Sequence, residues 1–114
     1  MKYIKKPIVI EAIQFNGFPE DIDPTDFRFS GAIQHVLEQC FENPPDWLVE
    51  AFSDKSLSFF HSTDGWTVTM TSSDGNEVSA LATQWVIKEP VGVGFYPCDD
   101  KTFQHIYDLY TEAD

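Results

Sequence analysis

Residues 56–75 read SLSFFHSTDGWTVTMTSSDG, and this stretch decides the fold. Apolar and polar side chains alternate along it, which is the period of a strand with one buried face. The Asp-Gly pairs at 64–65 and 74–75 predict hairpin turns, because glycine after a turn-tolerant aspartate lets the loop match the strand twist. The stretch therefore predicts antiparallel strands with an apolar face, made of Leu57, Phe59, Trp66, Val68 and Met70. The alternating threonines, Thr67, Thr69 and Thr71, are predicted to form a solvated face that can also serve as a docking surface.

The segments on either side extend this sheet. Residues 77–81 and 84–88 continue the meander, and residues 89–94 predict a turn before Phe95-Tyr96. Near the start of the chain, Lys6–Phe15 is β-branched and partly alternating, which predicts a long strand. Its Ile8, Ile10 and Ala12 would face one side, and its Val9, Ile13 and Phe15 the other. Residues 18–30 carry acids and two prolines, and are predicted to form a connecting loop.

Helical spacing marks two segments between the first strand and the meander. Ser30 is a predicted N-cap, and a helical stripe follows it that places Cys40 in the core: Ala32, Ile33, Val36, Leu37, Cys40 and Phe41. Pro44-Pro45 predicts the end of this helix and the start of a second one. The apolar face of that second helix consists of Trp47, Leu48, Ala51 and Phe52.

A third helix is predicted at the end of the chain. Asp99 or Asp100 would cap it, and its buried stripe would consist of Phe103, Ile106, Tyr107 and Tyr110. Cys98 then lies at a corner between a strand and a helix. Two adjacent aspartates raise a thiol pKa, and a nucleophile also needs a base, so Cys98 is predicted to be a structural thiol.

These elements predict one α+β domain spanning residues 1–114. Its antiparallel β-meander, of about four to six strands, packs against two or three helices. No apolar run is long enough for a membrane span, and two cysteines without CxxC spacing fit a reducing compartment. We therefore expect a soluble protein of a reducing cytoplasm.

Charge is the most unusual bulk property of the chain. Its 7 basic residues oppose 19 acidic ones, for a formal net charge of −12. Nucleic-acid binding normally needs a basic stripe, so direct binding of DNA or RNA is not expected. The acidity either keeps a small domain soluble or presents carboxylates to a basic cleft of a partner.

No sequence motif predicts catalysis or a bound cofactor. The three histidines have no i,i+4 pair for a metal, and the chain has no phosphate-binding loop, GxSxG elbow or deaminase signature. Acids at 20, 21, 23 and 26 lack the glycine and terminal glutamate of a calcium loop. We expect no enzyme activity, no metal and no cofactor. The candidate residues for partner binding are acids of the predicted loop and aromatics of the sheet: Asp21, Asp23, Asp26, Trp66, Trp85 and Tyr96.

Three parts of the chain together resemble a widespread family of small uncharacterised phage and prophage proteins. They are the start YIKKPIVIEAIQF, the middle PPDWLVEAF with the strand DGWTVTM, and the end QWVIKEPVGVGFYPCDDKTFQHIYD. The family pairs a KKPxVIEAxQF-like start with an end like PGDWIIKGVKGEFYPCKPDIFExTYE. This chain departs from the family pattern at two places. Ala82-Thr83-Gln84 stands where the family has Pro-Gly-Asp, and residues 89–94 stand where the family has a Lys-Gly turn. The family supplies no catalytic residues to carry over.

The resemblance and the charge together leave three hypotheses. The first is a phage accessory protein that binds and inhibits a host protein, such as a defence nuclease whose nucleic-acid channel its carboxylates occupy. The second is a binder of a small nucleotide signal, in which Trp66, Trp85 or Tyr96 stacks on a base. The third is a minor virion or assembly protein. The oligomeric state and the identity of the partner stay open.

Overall fold

The structure is a computed structural model that describes residues 1–3, 8–19, 33–63, 65–90 and 93–107. Within these ranges the elements follow in the order β1 (Glu11–Gln14), α1 (Ile33–Glu38), α2 (Asp46–Ser53), β2 (Leu57–Ser62), β3 (Gly65–Thr71), β4 (Glu77–Ala80), β5 (Trp85–Lys88), β6 (Phe95–Cys98) and α3 (Asp100–Ile106). The α+β class, with antiparallel strands and helices in one globule, is confirmed.

The alternating stretch at residues 56–75 forms most of the first sheet, in which the strand order is β2-β3-β4. Ser62 pairs with Gly65, so a two-residue loop joins β2 to β3. Between β3 and β4, the N–H of Gly75 donates to the Ser72 carbonyl at 3.0 Å, and Gly75 has a φ of 86°. Only glycine adopts such a backbone without strain, so the predicted turn at 74–75 is confirmed.

The other strands form a second antiparallel sheet in the order β1-β5-β6. The sequence predicted one continuous meander, whereas the chain leaves the first sheet after β4. A turn causes this change, because the N–H of Gln84 donates to the Leu81 carbonyl at 3.0 Å. The N–H of Thr83 then donates to the Phe15 carbonyl at 2.7 Å, and the N–H of Phe15 to the Gln84 carbonyl at 2.9 Å. These bonds join the chain to the end of β1, and β5 continues that pairing.

One core joins the two sheets to the first two helices. Its buried residues are Ile13, Phe15, Leu37, Cys40, Phe41, Leu48, Ala51, Phe52, Leu57, Val68, Met70, Ala80, Val86 and Phe95. Phe15 lies near its centre, with ring contacts to Phe41 at 5.5 Å and to Phe59 at 6.3 Å between centroids. Strand β6 contributes Phe95 to this core, and α3 contributes no buried residue.

Both helices of the predicted hairpin are present, but α1 ends at Glu38, whereas the sequence predicted a helix that continues to Pro44. Val36 and Leu37 of α1 are buried, and Cys40 and Phe41 are buried just after the helix ends. In α2, Leu48, Ala51 and Phe52 face the core as the spacing predicted. Ala32 and the N-cap Ser30 lie outside the described residues.

The first strand is shorter than predicted. It begins at Glu11, and Ile8 and Val9 before it are 49% and 60% exposed. Only Ile13 and Phe15 of the predicted strand are buried in the core. The strand is limited by its partner, because β5 offers four residues for pairing, from Lys88 opposite Glu11 to Trp85 opposite Gln14.

The predicted faces of β3 and α3 also need correction. Thr67 was expected on a solvated face, but it is only 4% exposed, and its hydroxyl donates to the Phe60 carbonyl at 3.1 Å. That hydrogen bond satisfies the hydroxyl and makes burial tolerable. The stripe predicted for α3 is not buried: α3 contains no buried residue, and Ile106 is 60% exposed. Tyr110 lies outside the described residues.

Candidate functional site

The acidic candidates Asp21, Asp23 and Asp26 lie outside the described residues, as does most of the predicted loop at 18–30. Phe18, at its start, is described and packs against the first sheet. Its ring meets Phe59 edge-on at 5.0 Å and Trp66 at 6.2 Å between centroids.

Trp66 of β3 stands opposite His61 of β2. The two rings are 4.8 Å apart and tilted by 35°. Trp66 is partly buried and packs against the core through its other contacts. Its indole is therefore shared between the core and an exposed histidine at the end of the hairpin.

The structure brings Trp85 and Tyr96 together on one face of the second sheet. Trp85 pairs with Cys98, and Ile87 pairs with Tyr96, so alternation places all four side chains on the same side. Ile87 is fully buried but does not belong to the main core. Helix α3 covers this face, which makes a small second apolar cluster.

Trp85 is the anchor of α3. Its ring stacks on Phe103 with 3.9 Å between centroids and 5° between planes. The indole Nε1–H donates to Asp100 Oδ1 at 2.9 Å. One ring face and the only polar atom of Trp85 are therefore occupied within the fold, which favours a structural role.

Tyr96 is likewise engaged within this cluster. Burial raises the pKa of its phenol, and a hydrogen bond with Tyr107 raises it further, with smaller contributions from Glu89 and Cys98. The Phe103 ring lies 4.9 Å from that of Tyr107 between centroids, and the two planes are tilted by 36°. Tyr107, the C-cap of α3, therefore lies beside both Phe103 and Tyr96.

Cys98 ends β6, directly before the cap of α3. The carboxylate of Asp99 accepts from the N–H of Thr102 at 2.9 Å, so Asp99 is the N-cap that the sequence left open between two aspartates. Burial raises the pKa of the Cys98 thiol, and the charge of Asp99 raises it further. A thiol with a raised pKa is a poor nucleophile, which agrees with the structural role predicted for Cys98.

A second surface emerges from the helices, and we call its acids the acidic helical segment: Glu38, Glu42, Asp46, Glu50 and Asp54. All five side chains are exposed. No lysine or arginine occurs between Arg28 and Lys55 in the sequence. The sequence analysis missed this segment because it placed the acidic site in the loop at 20–26. The absence of basic residues between Arg28 and Lys55 was the signal that could have revealed it.

Glu38 and Glu42 line an open depression of about 470 Å³ together with Gln34, Phe41, Asn43 and Pro44. The Gln34 amide donates to Glu38 Oε1 at 3.5 Å. Asp46 and Glu50 are four residues apart on α2, so they share one side of that helix. The acids of this segment are therefore exposed both at the depression and on α2.

Few cations balance these acids in the part of the chain that the structure describes. The ion pair found there joins Lys88 Nζ to Glu11 Oε2 at 3.5 Å, on the second sheet. The described residues contain no cluster of His, Cys, Asp and Glu suited to a metal ion. Among them, too, no helix has the length and apolar character needed to cross a membrane.

Comparisons with protein-family models, with curated proteins and with solved structures each give no match. The proposals below therefore depend on the chemistry of the surface and on the sequence motifs.

Proposed function

We propose that the chain is a phage- or prophage-encoded accessory protein of the host cell cytoplasm that acts by binding and inhibiting a host protein. A defence nuclease with a basic nucleic-acid channel is the kind of partner that fits. The protein acts without catalysis and without a cofactor. The single observation that carries the proposal is the acidic helical segment, five exposed acids in a stretch of sequence without lysine or arginine, in a chain of net charge −12.

The positions of the other described acids support this choice of surface. Several of them stabilise the fold: Asp99 caps α3, Asp74 accepts from Ser72 in the turn before β4, and Glu11 pairs with Lys88. Glu42 and Glu50 have no such bond in the part of the chain that is described. Acids that do not stabilise the fold are available to a partner, and their field steers encounter with a basic cleft.

The aromatic residues support binding by charge over binding by stacking. Trp85 is stacked on Phe103 and hydrogen-bonded to Asp100, and Tyr96 is half-buried beside Tyr107. A nucleotide that stacked on either ring would have to displace these contacts. Binding of a nucleotide signal and a role in the virion are the two alternatives, and each predicts a different experimental result.

The experiment captures partners from lysates of bacteria with known defence nucleases, and then measures the affinity for each purified partner. The test variant is Glu42→Gln with Glu50→Gln, which removes two charges from the acidic helical segment. The matched control is Glu77→Gln with Glu89→Gln, which removes the same charge from the sheets. We expect the test variant to bind about tenfold more weakly and the control to bind within about twofold of the wild type.

Three results would count against the proposal. Equal losses in both variants would show that only total charge matters, and the acidic helical segment would not be the interface. Stabilisation by nucleotides in a thermal-shift screen, without any captured protein, would favour the second hypothesis. Detection of the chain in purified phage particles would favour the third.

A further inference from the structure

Strand β2 has one side without a partner strand among the described residues, where the sheet order is β2-β3-β4. Phe60 pairs with Thr67, whose hydroxyl also reaches the Phe60 carbonyl at 3.1 Å. Pairs that exchange hydrogen bonds alternate with pairs that do not along an antiparallel ladder. The N–H and C=O groups of Phe59 and His61 therefore point away from β3, toward the open edge.

Edges of sheets usually carry features that prevent pairing with another chain, such as charges, prolines or bulges. The other three outer strands carry them: Glu11 in β1, Glu77 in β4 and Pro97 in β6. Strand β2, with the sequence LSFFHS, has no charge, no proline and no glycine. Its six residues pair with β3 in unbroken register. It is thus the strand least protected against an added strand in the described part of the chain.

The side chains beside this edge suit an added strand. Phe60 is 60% exposed on the outer face of the sheet, and Ser58 next to it along that face is exposed. An added strand would cover the Phe60 ring with every second side chain, and its backbone would bond to Phe59 and His61. A large exposed ring next to open backbone groups provides both affinity and register.

The net charge of the chain indicates which kind of strand binds at the β2 edge. A second copy of this chain would bring another net charge of −12 to the edge, and that repulsion disfavours self-pairing. The exposed charges just before β2, Asp54 and Lys55, offset each other, so the net charge of the whole chain decides the field at this edge. An extended segment that carries lysine or arginine meets attraction where a second copy meets repulsion.

We infer that the open edge of β2 binds an extended, cationic segment of the partner protein by adding it as a fourth strand to the β2-β3-β4 sheet. This inference rests on the proposed function. It adds which structural element of the partner the chain binds, namely an extended strand. Backbone pairing at β2 supplies the contact, and the overall charge of the chain selects the segment.

The test uses a synthetic probe, a blocked peptide of alternating valine and lysine about eight residues long. Its binding to the full chain is followed through the backbone amide NMR signals. We expect the signals of Phe59, Phe60 and His61 to shift most, with weaker binding as salt is added. A peptide of alternating valine and glutamate is the charge control, and we expect it to leave the signals unchanged.

A pair of variants at position 61 isolates the backbone contact. His61→Pro removes an outward N–H without removing a bond to β3, and His61→Thr removes the imidazole but keeps the N–H. We expect the proline variant to bind the lysine peptide about tenfold more weakly, and the threonine variant to bind within about twofold of wild type. If His61→Pro does not fold, Phe60→Lys takes its place, and its new charge should abolish binding of the same peptide.

Three results would overturn the inference. The first is no binding of the lysine peptide, and the second is binding that His61→Pro or Phe60→Lys leaves unchanged. The third is a dimer in analytical ultracentrifugation that His61→Pro dissociates, which would make a second copy the occupant.

The same variants separate this inference from the proposed function. If a captured host protein is lost with Glu42→Gln and Glu50→Gln but binds normally to His61→Pro, the function stands and the β2 edge is not used. If the lysine peptide binds at β2 but no host protein is captured, the edge is a binding site and the proposed function fails.

Discussion

Thr83 holds the most unusual backbone conformation of any residue in a described turn. Its φ is 77°, in the left-handed region that disfavours β-branched side chains. It occupies the third position of the turn Leu81–Gln84, where a type II turn requires a positive φ and prefers glycine. Pro-Gly is the preferred sequence at the two central positions of that turn. Ala82 and Thr83 occupy these positions here, so the turn forms with strain at Thr83.

We expect Thr83→Gly to stabilise the protein by about 1 kcal/mol, because glycine relieves the left-handed strain and the exposed side chain contributes no buried area. Thr83→Ala is the control, since it keeps a Cβ and should recover only part of that energy. Urea unfolding gives the difference in free energy. A loss of stability in Thr83→Gly would mean that the threonine side chain makes a contact that the strain argument overlooks.

At the scale of one element, α3 depends on its cap and on Trp85, since none of its own residues is buried. Hydrogen bonds from Thr102 lower the pKa of Asp99 below its usual range. A lowered pKa in the folded state stabilises the protein above the ordinary aspartate pKa, near 4, and this contribution is lost as pH falls through the lowered value. The pKa values of Asp54 and Asp74 are lowered as well, so they add to the same slope.

We expect Asp99→Ala to lower Tm by roughly 5 °C at neutral pH, and Asp99→Asn to lower it much less, because asparagine is also a good N-cap. As pH falls below about 4, the wild type should lose stability faster than Asp99→Asn, whose cap does not titrate. Thermal unfolding followed across this pH range measures both effects. Parallel pH profiles for the two proteins would show that Asp99 does not carry the cap.

Gly94 fixes how the two sheets meet. A Cβ at this position would lie 2.8 Å from the backbone nitrogen of Ser73 and 2.9 Å from the carbonyl carbon of Ser72, and its φ is 112°. The loop before β6 thus packs directly against the turn between β3 and β4. Glycine is required there both for its conformation and for this close approach.

We expect Gly94→Ala to destabilise the protein by more than about 2 kcal/mol, because backbone atoms of the neighbouring turn must move. Gly75→Ala is the matched control, with a φ of 86° but no atom within 4 Å of its added Cβ. It should cost about 1 kcal/mol, from backbone strain alone. Equal losses in the two variants, measured by urea unfolding, would show that the contact between the turns is unimportant.

At the scale of the whole molecule, the sequence predicted what depends on local pattern. The helical hairpin follows from the spacing of Leu48, Ala51 and Phe52, and the first sheet follows from alternation and its Asp-Gly turns. The split into two sheets could not be predicted, because it depends on long-range hydrogen bonds from Phe15 to Thr83 and Gln84. The face of α3 was predicted wrongly because its stripe meets a small second cluster, centred on Trp85, and not the main core.

The candidate site likewise depends on contacts between residues far apart in the sequence, which local pattern does not predict. Sequence reasoning identified Trp66, Trp85 and Tyr96 as exposed aromatics of interest, but it could not foresee that Phe103 and Tyr107 would occupy the last two. It also could not show that Glu42 and Glu50 are exposed and make no side-chain bond within the described part of the fold, since that requires the tertiary structure. What remains for a partner is the acidic exterior, which composition alone had indicated.

The most direct test of the central claim is the affinity of the chain for a captured host partner as a function of salt concentration. If exposed carboxylates carry recognition, affinity should fall steadily as salt rises, and the slope should be shallower for Glu42→Gln with Glu50→Gln than for Glu77→Gln with Glu89→Gln. An affinity that stays constant over the whole salt range, with the same value in both variants, would contradict the account.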